Sequence, residues 1–278
     1  MRYGGDEISG GYDESQIVVV PVPYDETSTW MRGADRGPEA IMYASEYMDF
    51  YDTEVGGDIR GKGIFTTDPV MEKTSPELMV TTVGNICTEL YSGGKFPVVV
   101  GGNHSVSIGA MRAAAACFDD LTILQFDAHS DLRERYEGSP LNHACVMARA
   151  REMTPIVQAG IRSMSPEESV AADFERIIFA HEIWRDDGWQ ERLISLLSPK
   201  VYITIDLDVL DPSEMPSTGT PEPGGLRYRE LTGIMRRVVE STEVVGFDLV
   251  ELCPGEGNRA PDFLAARLIY QILSYRFL

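Results

Sequence analysis

Three short segments carry residues whose types and spacing suit metal chemistry. They are GGNHS with His104, DAHSD with Asp127, His129 and Asp131, and DLDVLDP with Asp206 and Asp208. Each follows an apolar run that reads as a strand: FPVVV, LTILQF and VYITI. In an extended chain, residues two apart face the same way, so each set can aim its side chains at one point. Carboxylates and imidazoles without thiolates favour a hard or borderline ion such as Mn²⁺ over a sulfur-bound zinc. Four carboxylates exceed the charge of one divalent ion and offset that of two. Asp206 and Asp208 make the point most directly, because like charges on one face of a buried strand end repel unless a cation lies between them.

The elements that must position these residues alternate along the chain. QIVVVPVPY opens as a strand, and PEAIMYASEYM has helical spacing with Pro38 just inside its start. SPELMVTTVGNICTELYSGG reads as a long helix, with Ser75 as N-cap and Gly93 and Gly94 as its stop. FPVVV, LTILQFD, TPIVQAGI, RIIFA, VYITIDLDVL and EVVGFDLVEL read as further strands. SVSIGAMRAAAACF, GWQERLISLLS, RYRELTGIMRRVVEST and the closing PDFLAARLIYQILSYRFL read as helices between or after them. This alternation predicts an α/β fold with a parallel sheet covered on both faces, its chemistry at the C-terminal strand ends. The regularity predicts a single domain over residues 1–278, with residues 1–15 as a mobile lead-in. Gly101 and Gly102 lack a following Gly-Lys-Ser/Thr, so they are read as a tight backbone turn that lets His104 reach the metals, and not as a phosphate loop.

Bulk properties exclude several classes. The net charge of −20, from 24 basic and 44 acidic residues, argues against nucleic acid and anionic membranes as partners. It suits a small cationic substrate, and it equally suits solvation in a salty interior, since only four lysines occur. No apolar run reaches the length of a membrane span, and the acidic, glycine-rich start does not read as a secretory signal. Cys87, Cys117, Cys145 and Cys253 form no CxxC pair and read as small buried residues of a reducing, cytoplasmic compartment.

GGNHS, DAHSD and DLDVLDPSEMPSTGTPEPGG resemble the three signature blocks of the ureohydrolases, the arginase/agmatinase family. The resemblance extends to PYDETSTWMRGADRGPEAI and to FDLVELCP, so it covers most of the chain in order. One departure is Asn103, which stands where the family more often has an acid. The resemblance implies a three-layer α/β/α sandwich with a mainly parallel eight-stranded sheet and two Mn²⁺ per subunit. His104, Asp127, His129, Asp131, Asp206 and Asp208 would hold the metals, with Asp127, Asp131 and Asp206 bridging. It further implies guanidinium hydrolysis by a metal-bridging hydroxide, Glu251 as the carboxylate that holds the guanidinium, and Asp131 as a proton relay. His143 is read either as a loop or helix-start residue or, by the resemblance, as a proton shuttle; His181 reads as structural. Asp211 reads as a turn residue, Asp248 as support behind the ligands, and Thr220 as a contact to substrate.

The stretch LRERYEGSPLNHACVM after DAHSD looks like the agmatinase version and lacks the arginase pattern, which points to agmatine as substrate, with urea and putrescine as products. Aminopropylagmatine, guanidinobutyrate and arginine are the neighbouring alternatives; a carboxylate-bearing substrate would need a basic partner such as Arg133, Arg135 or Arg162. A homo-oligomer, trimer or hexamer, is implied by the resemblance. Outside this class stand a non-catalytic metal-binding regulator and a cysteine amidinohydrolase using Cys145 or Cys253 with His143.

Overall fold

A computed structural model describes residues 1–8 and 10–278. Eight strands form one sheet: β1 (Ile17–Val22), β2 (Ile64–Thr66), β3 (Phe96–Gly101), β4 (Leu121–Phe126), β5 (Ile156–Ile161), β6 (Ile177–Phe179), β7 (Lys200–Asp206) and β8 (Glu243–Val250). Their order is β2-β1-β3-β8-β7-β4-β5-β6, and every pairing is parallel. The expected α/β architecture is therefore observed. Among the described residues the helices are α1 (Gly37–Ser45), α2 (Pro76–Ser92), α3 (Ser107–Cys117), α4 (Val146–Ala150), α5 (Pro166–Ala171), α6 (Ala180–Ile183), α7 (Trp189–Ser195), α8 (Tyr228–Ser241) and α9 (Ala260–Phe277).

The strands are runs of β-branched residues because both of their faces are buried. In β1 the side chains of Ile17 and Val19 enter one core, shared with α1, α8 and α9, while Val18, Val20 and Val22 enter the other, shared with α2 and α3. Two prolines sit inside strands without breaking the ladder. β2 stops opposite Val19, so the N–H that Pro21 lacks has no strand to serve there, and Pro97 precedes Val98, where β8 begins to pair with β3. The ends of α2 follow from its sequence: Ser75 Oγ accepts from the Leu78 N–H at 3.2 Å, and Gly94 turns the chain at φ +68.

The structure adds β2, α4, α5 and α6 to the elements read from the sequence. It also ends β7 at Asp206, turning Leu207–Val209 into a 3-10 turn where an unbroken strand was expected. The lead-in is tied down at Tyr3, which is buried and donates its hydroxyl to the Ala266 carbonyl at 2.7 Å. No helix among the described residues is long and apolar enough to cross a membrane.

Candidate metal centre

β1, β3, β8, β7 and β4 are consecutive neighbours in the sheet, and the chain leaving their C-terminal ends builds one cavity of about 320 Å³. His104 follows β3, Asp127 to Asp131 follow β4, Asp206 ends β7, and Glu251 follows β8. The aiming works by turns, not by strand alternation. Asp206 caps the 3-10 turn after β7, its Oδ1 accepting the Asp208 N–H at 2.8 Å, and Asp208 Oδ1 accepts the Ala128 N–H at 3.0 Å. Asp127 Oδ1 likewise accepts the His129 N–H at 2.5 Å, while Gln125 Nε2 donates to its Oδ2 at 2.7 Å. Each carboxylate is thus held at one oxygen by a backbone N–H, and Asp127 at the other by Gln125 as well, and each oxygen keeps a lone pair for a cation.

Two donor groups result, one of His104, Asp127 and Asp206 and one of Asp127, His129 and Asp208, with the ligand atoms of each within 4.8 Å of one another. Asp127 belongs to both. His104 Nδ1 is buried without a hydrogen-bond partner, yet it faces carboxylate oxygens of Asp131, Asp127 and Asp206 at 3.0, 3.1 and 3.5 Å. A buried lone pair among three carboxylates is a poor arrangement for a bare protein and a good one for a divalent ion. The ring is locked from behind: Nε2 lies 2.9 Å from Thr204 Oγ1, which donates to Asp248 Oδ1 at 2.7 Å. Asp248 also accepts from Ser107 Oγ at 2.8 Å and Tyr202 at 2.9 Å. Because the Thr204 proton goes to Asp248, Nε2 is the donor to Thr204, and Nδ1 keeps its lone pair for the site. On the other side His129 Nδ1 stands 2.9 Å from Asp208 Oδ2.

The electrostatics fit the same reading. Burial, with Asp127 beside it, pushes Asp131 up to about 7, and burial pushes Glu251 up to about 8. Asp206 lies well above its usual range through burial and the charges of Asp208 and Asp127. Cations at this point would relieve that repulsion. Asp131 and Glu251 both adopt left-handed backbone, at φ 51 and φ 66, which non-glycine residues hold only when the surroundings insist. The Asp131 carbonyl accepts the Met147 and Ala148 N–H groups at 3.0 Å, and the Glu251 N–H donates to the Gly102 carbonyl at 2.8 Å.

Glu251 Oε1 accepts the His104 N–H at 2.7 Å, and the side chain lines the cavity. His143 lines it as well, its Nδ1 2.9 Å from the Thr27 carbonyl. A carbonyl only accepts, so Nδ1 carries the proton and Nε2 the lone pair. Burial holds this imidazole down to about 4. Thr220 also lines the cavity, whereas His181 lies apart, stacked on Phe179. Asp211 is a turn residue, accepting from Ser213, Gly224 and Gly225. Gly102 is required by close approach, not by a tight turn: a Cβ there would run into the Tyr24 carbonyl.

Asp248 stands behind His104 as expected, but three features escaped the sequence reading, the first being Thr204 as the link between them. The Thr204–Asp248 relay was signalled only by the alternation of Tyr202, Thr204 and Asp206 with valine and isoleucine. The loop from Asp25 to Gly33 lies over the cavity and brings Trp30 and Met31 to it. Glu168 also lines the cavity, and its carboxylate accepts from Ser130, Leu132 and Ser165. Of the arginines, Arg162 is spent on backbone carbonyls including those of Asp208 and Glu222, and Arg135 bonds the Gly138 carbonyl. Arg133 reaches the cavity, 3.6 Å from Glu168 and 4.8 Å over the Tyr136 ring. Cys145 is buried away from reactivity, its thiol pushed up to about 11.

The strand-end aspartates and histidines form two groups that could each hold a metal ion, and the arginase family matches residues 15–274. The chain belongs to that family, and so to a class of hydrolases that act on guanidino groups. It is 37% identical to the N(1)-aminopropylagmatine ureohydrolase of Synechocystis sp., over 95% of this chain and 90% of that protein. It is 32% identical to the agmatinase of Bacillus anthracis, over 87% of this chain and 85% of that protein. The agmatine ureohydrolase of Thermoplasma volcanium superposes with a TM-score of 0.89 at 33% identity, covering 98% of this chain and 93% of that one.

Proposed function

We propose that this chain hydrolyses the guanidinium group of agmatine-type amines, releasing urea and, from agmatine, putrescine. The observation that carries the reading is Asp127, a member of both donor groups, with the Glu251 carboxylate beside them in one cavity. In this reading His104, Asp127, His129, Asp131, Asp206 and Asp208 would hold two Mn²⁺. Bound there, the pair would supply the Lewis acidity that brings the pKa of water towards neutrality.

The protein's own groups do the rest. A guanidinium stays protonated at any working pH and offers two parallel N–H donors, which the Glu251 carboxylate accepts, fixing the direction in which its carbon faces. Such orientation supplies a large share of the acceleration. The leaving amine must be protonated, because an amide anion cannot depart. Asp131 is the carboxylate placed to carry that proton, and His143, with Nε2 free, exchanges protons between the site and solvent. A cationic tail is favoured over a carboxylate because Arg133, the one arginine among the described residues lining the cavity, is engaged with Glu168 and Tyr136. The same reading places the enzyme in the cytoplasm as a homo-oligomer.

A second substrate stands close. The relative at 37% identity is named for N(1)-aminopropylagmatine, and the agmatinase of Bacillus anthracis stands at 32%. Urea release by Mn²⁺-loaded protein from agmatine, aminopropylagmatine and arginine separates the cases. Release from either amine but not from arginine is the expected result, and the ratio of the two kcat/KM values names the better substrate. Release from arginine alone would overturn the tail assignment. No release from any of the three would favour a metal-binding regulator.

A further inference from the structure

Trp30 lines the cavity and is nonetheless 69% exposed, while its neighbour Met31 is 39% exposed. An indole left this open is unusual, since its area normally goes into packing. It does not sit on a loose loop. Asp25 grips both ends of the segment, accepting from the Ser28 hydroxyl and from the Gly33 N–H at 2.6 Å. Asn103, next to His104, donates from Nδ2 to Thr27 Oγ1 at 2.8 Å and to Ser28 Oγ at 3.3 Å. The direction of these bonds is determined. Ser28 spends its proton on Asp25 and must accept from Asn103, a role that an aspartate at 103 could not serve. The Thr27 carbonyl is fixed in turn by His143. The backbone before Trp30 is thus held against the floor of the site, the far end of the segment is tied back to Asp25, and an aromatic ring is presented at the rim.

An aromatic face carried by an anchored loop to the mouth of a carboxylate-lined cavity attracts a cation. We propose that Trp30 is a specificity-determining residue that reads the cationic tail of the substrate by cation–π contact, while Glu251 holds the guanidinium. The inference rests on the ureohydrolase reading and adds to it the group that distinguishes an amine tail from an uncharged one. An N-aminopropyl tail, with its additional charge, would meet the same face.

The test compares wild type, Trp30→Ala and Trp30→Phe, each Mn²⁺-loaded, on agmatine and on butylguanidine, which keeps the guanidinium and alkyl chain but has no terminal charge. The expected result for Trp30→Ala is a KM for agmatine raised about five- to tenfold with kcat within about twofold. Butylguanidine should be unaffected, and Trp30→Phe should keep most of the agmatine affinity. Equal effects on both guanidines, or none, would overturn the proposal. So would a changed elution volume of Trp30→Ala on size-exclusion with both substrates altered alike, which would assign Trp30 to a subunit contact. If wild type released urea from neither guanidine, the ureohydrolase reading would fail by itself. Calorimetric binding of the two compounds would then decide for Trp30: loss confined to agmatine supports it, and equal binding by wild type and Trp30→Ala overturns it.

Discussion

The hydroxyl of Thr204 stands 2.9 Å from Nε2 of His104, and this contact decides which face of the imidazole looks into the site. Replacing Thr204 by valine keeps the shape of the side chain and removes the relay to Asp248. His104 is then free to change tautomer, and metal affinity should fall about 10- to 100-fold. Thr204→Ser should hold it near the wild-type value. Competition titration of Mn²⁺ against a chelating dye measures both.

Asp206→Asn keeps the cap on the Asp208 N–H through the amide oxygen but removes one charge from the cluster. Loss of bound metal together with loss of activity is expected, read by elemental analysis after gel filtration. Full metal content with full activity would remove Asp206 from the ligand set.

Glu251→Gln leaves an oxygen to accept the His104 N–H, so the backbone and the metals should stay in place. What disappears is the charge that, in the proposed reaction, faces the guanidinium. The kcat/KM for agmatine should fall by about 100-fold with metal content unchanged. A fall in metal content of the same size would show that Glu251 acts on the His104 loop and not on substrate.

His143 makes stability depend on pH. Its folded value of about 4 lies below the free-imidazole value of about 6.5, so the folded state binds this proton less readily than the unfolded state does. The contribution is complete above about 6.5 and is lost as pH falls from there to about 4. His143→Gln, compared with wild type in excess chelator so that metal loss plays no part, should show a flatter decline of the urea midpoint across that window. Identical slopes would mean that His143 titrates as a free imidazole.

Much of this molecule could be read from residue order alone, for reasons that are local. Strands such as VVVPV and FPVVV are apolar on both faces because the sheet they belong to is covered on both sides. His104, Asp127 and Asp206 announce themselves because three separate buried runs each end in carboxylates or an imidazole, a repetition that turn-capping alone does not call for. The supporting groups are harder to see. Thr204 is an ordinary strand residue until its neighbour across the sheet is known to be Asp248. Trp30 reaches the cavity on a loop and Glu168 on the first turn of α5, and where each lies depends on partners far away in sequence. The strand-alternation argument brought Asp206 and Asp208 together for the wrong reason, since a 3-10 turn does the aiming. Short elements such as β2 and α6 have too few residues to show a period.

The parallel sheet has a consequence for how the chain becomes competent. His104 and Thr204 are 100 residues apart, and every strand that contributes to the centre pairs with neighbours reached by a long crossover. Such distant pairings form late, because chain-closure entropy must be met before they return any contact energy. A nascent or half-refolded chain therefore has no place to capture a cation, and metal uptake should be among the last events of refolding. Stopped-flow refolding with and without Mn²⁺ should share their early phases and part company only at the end.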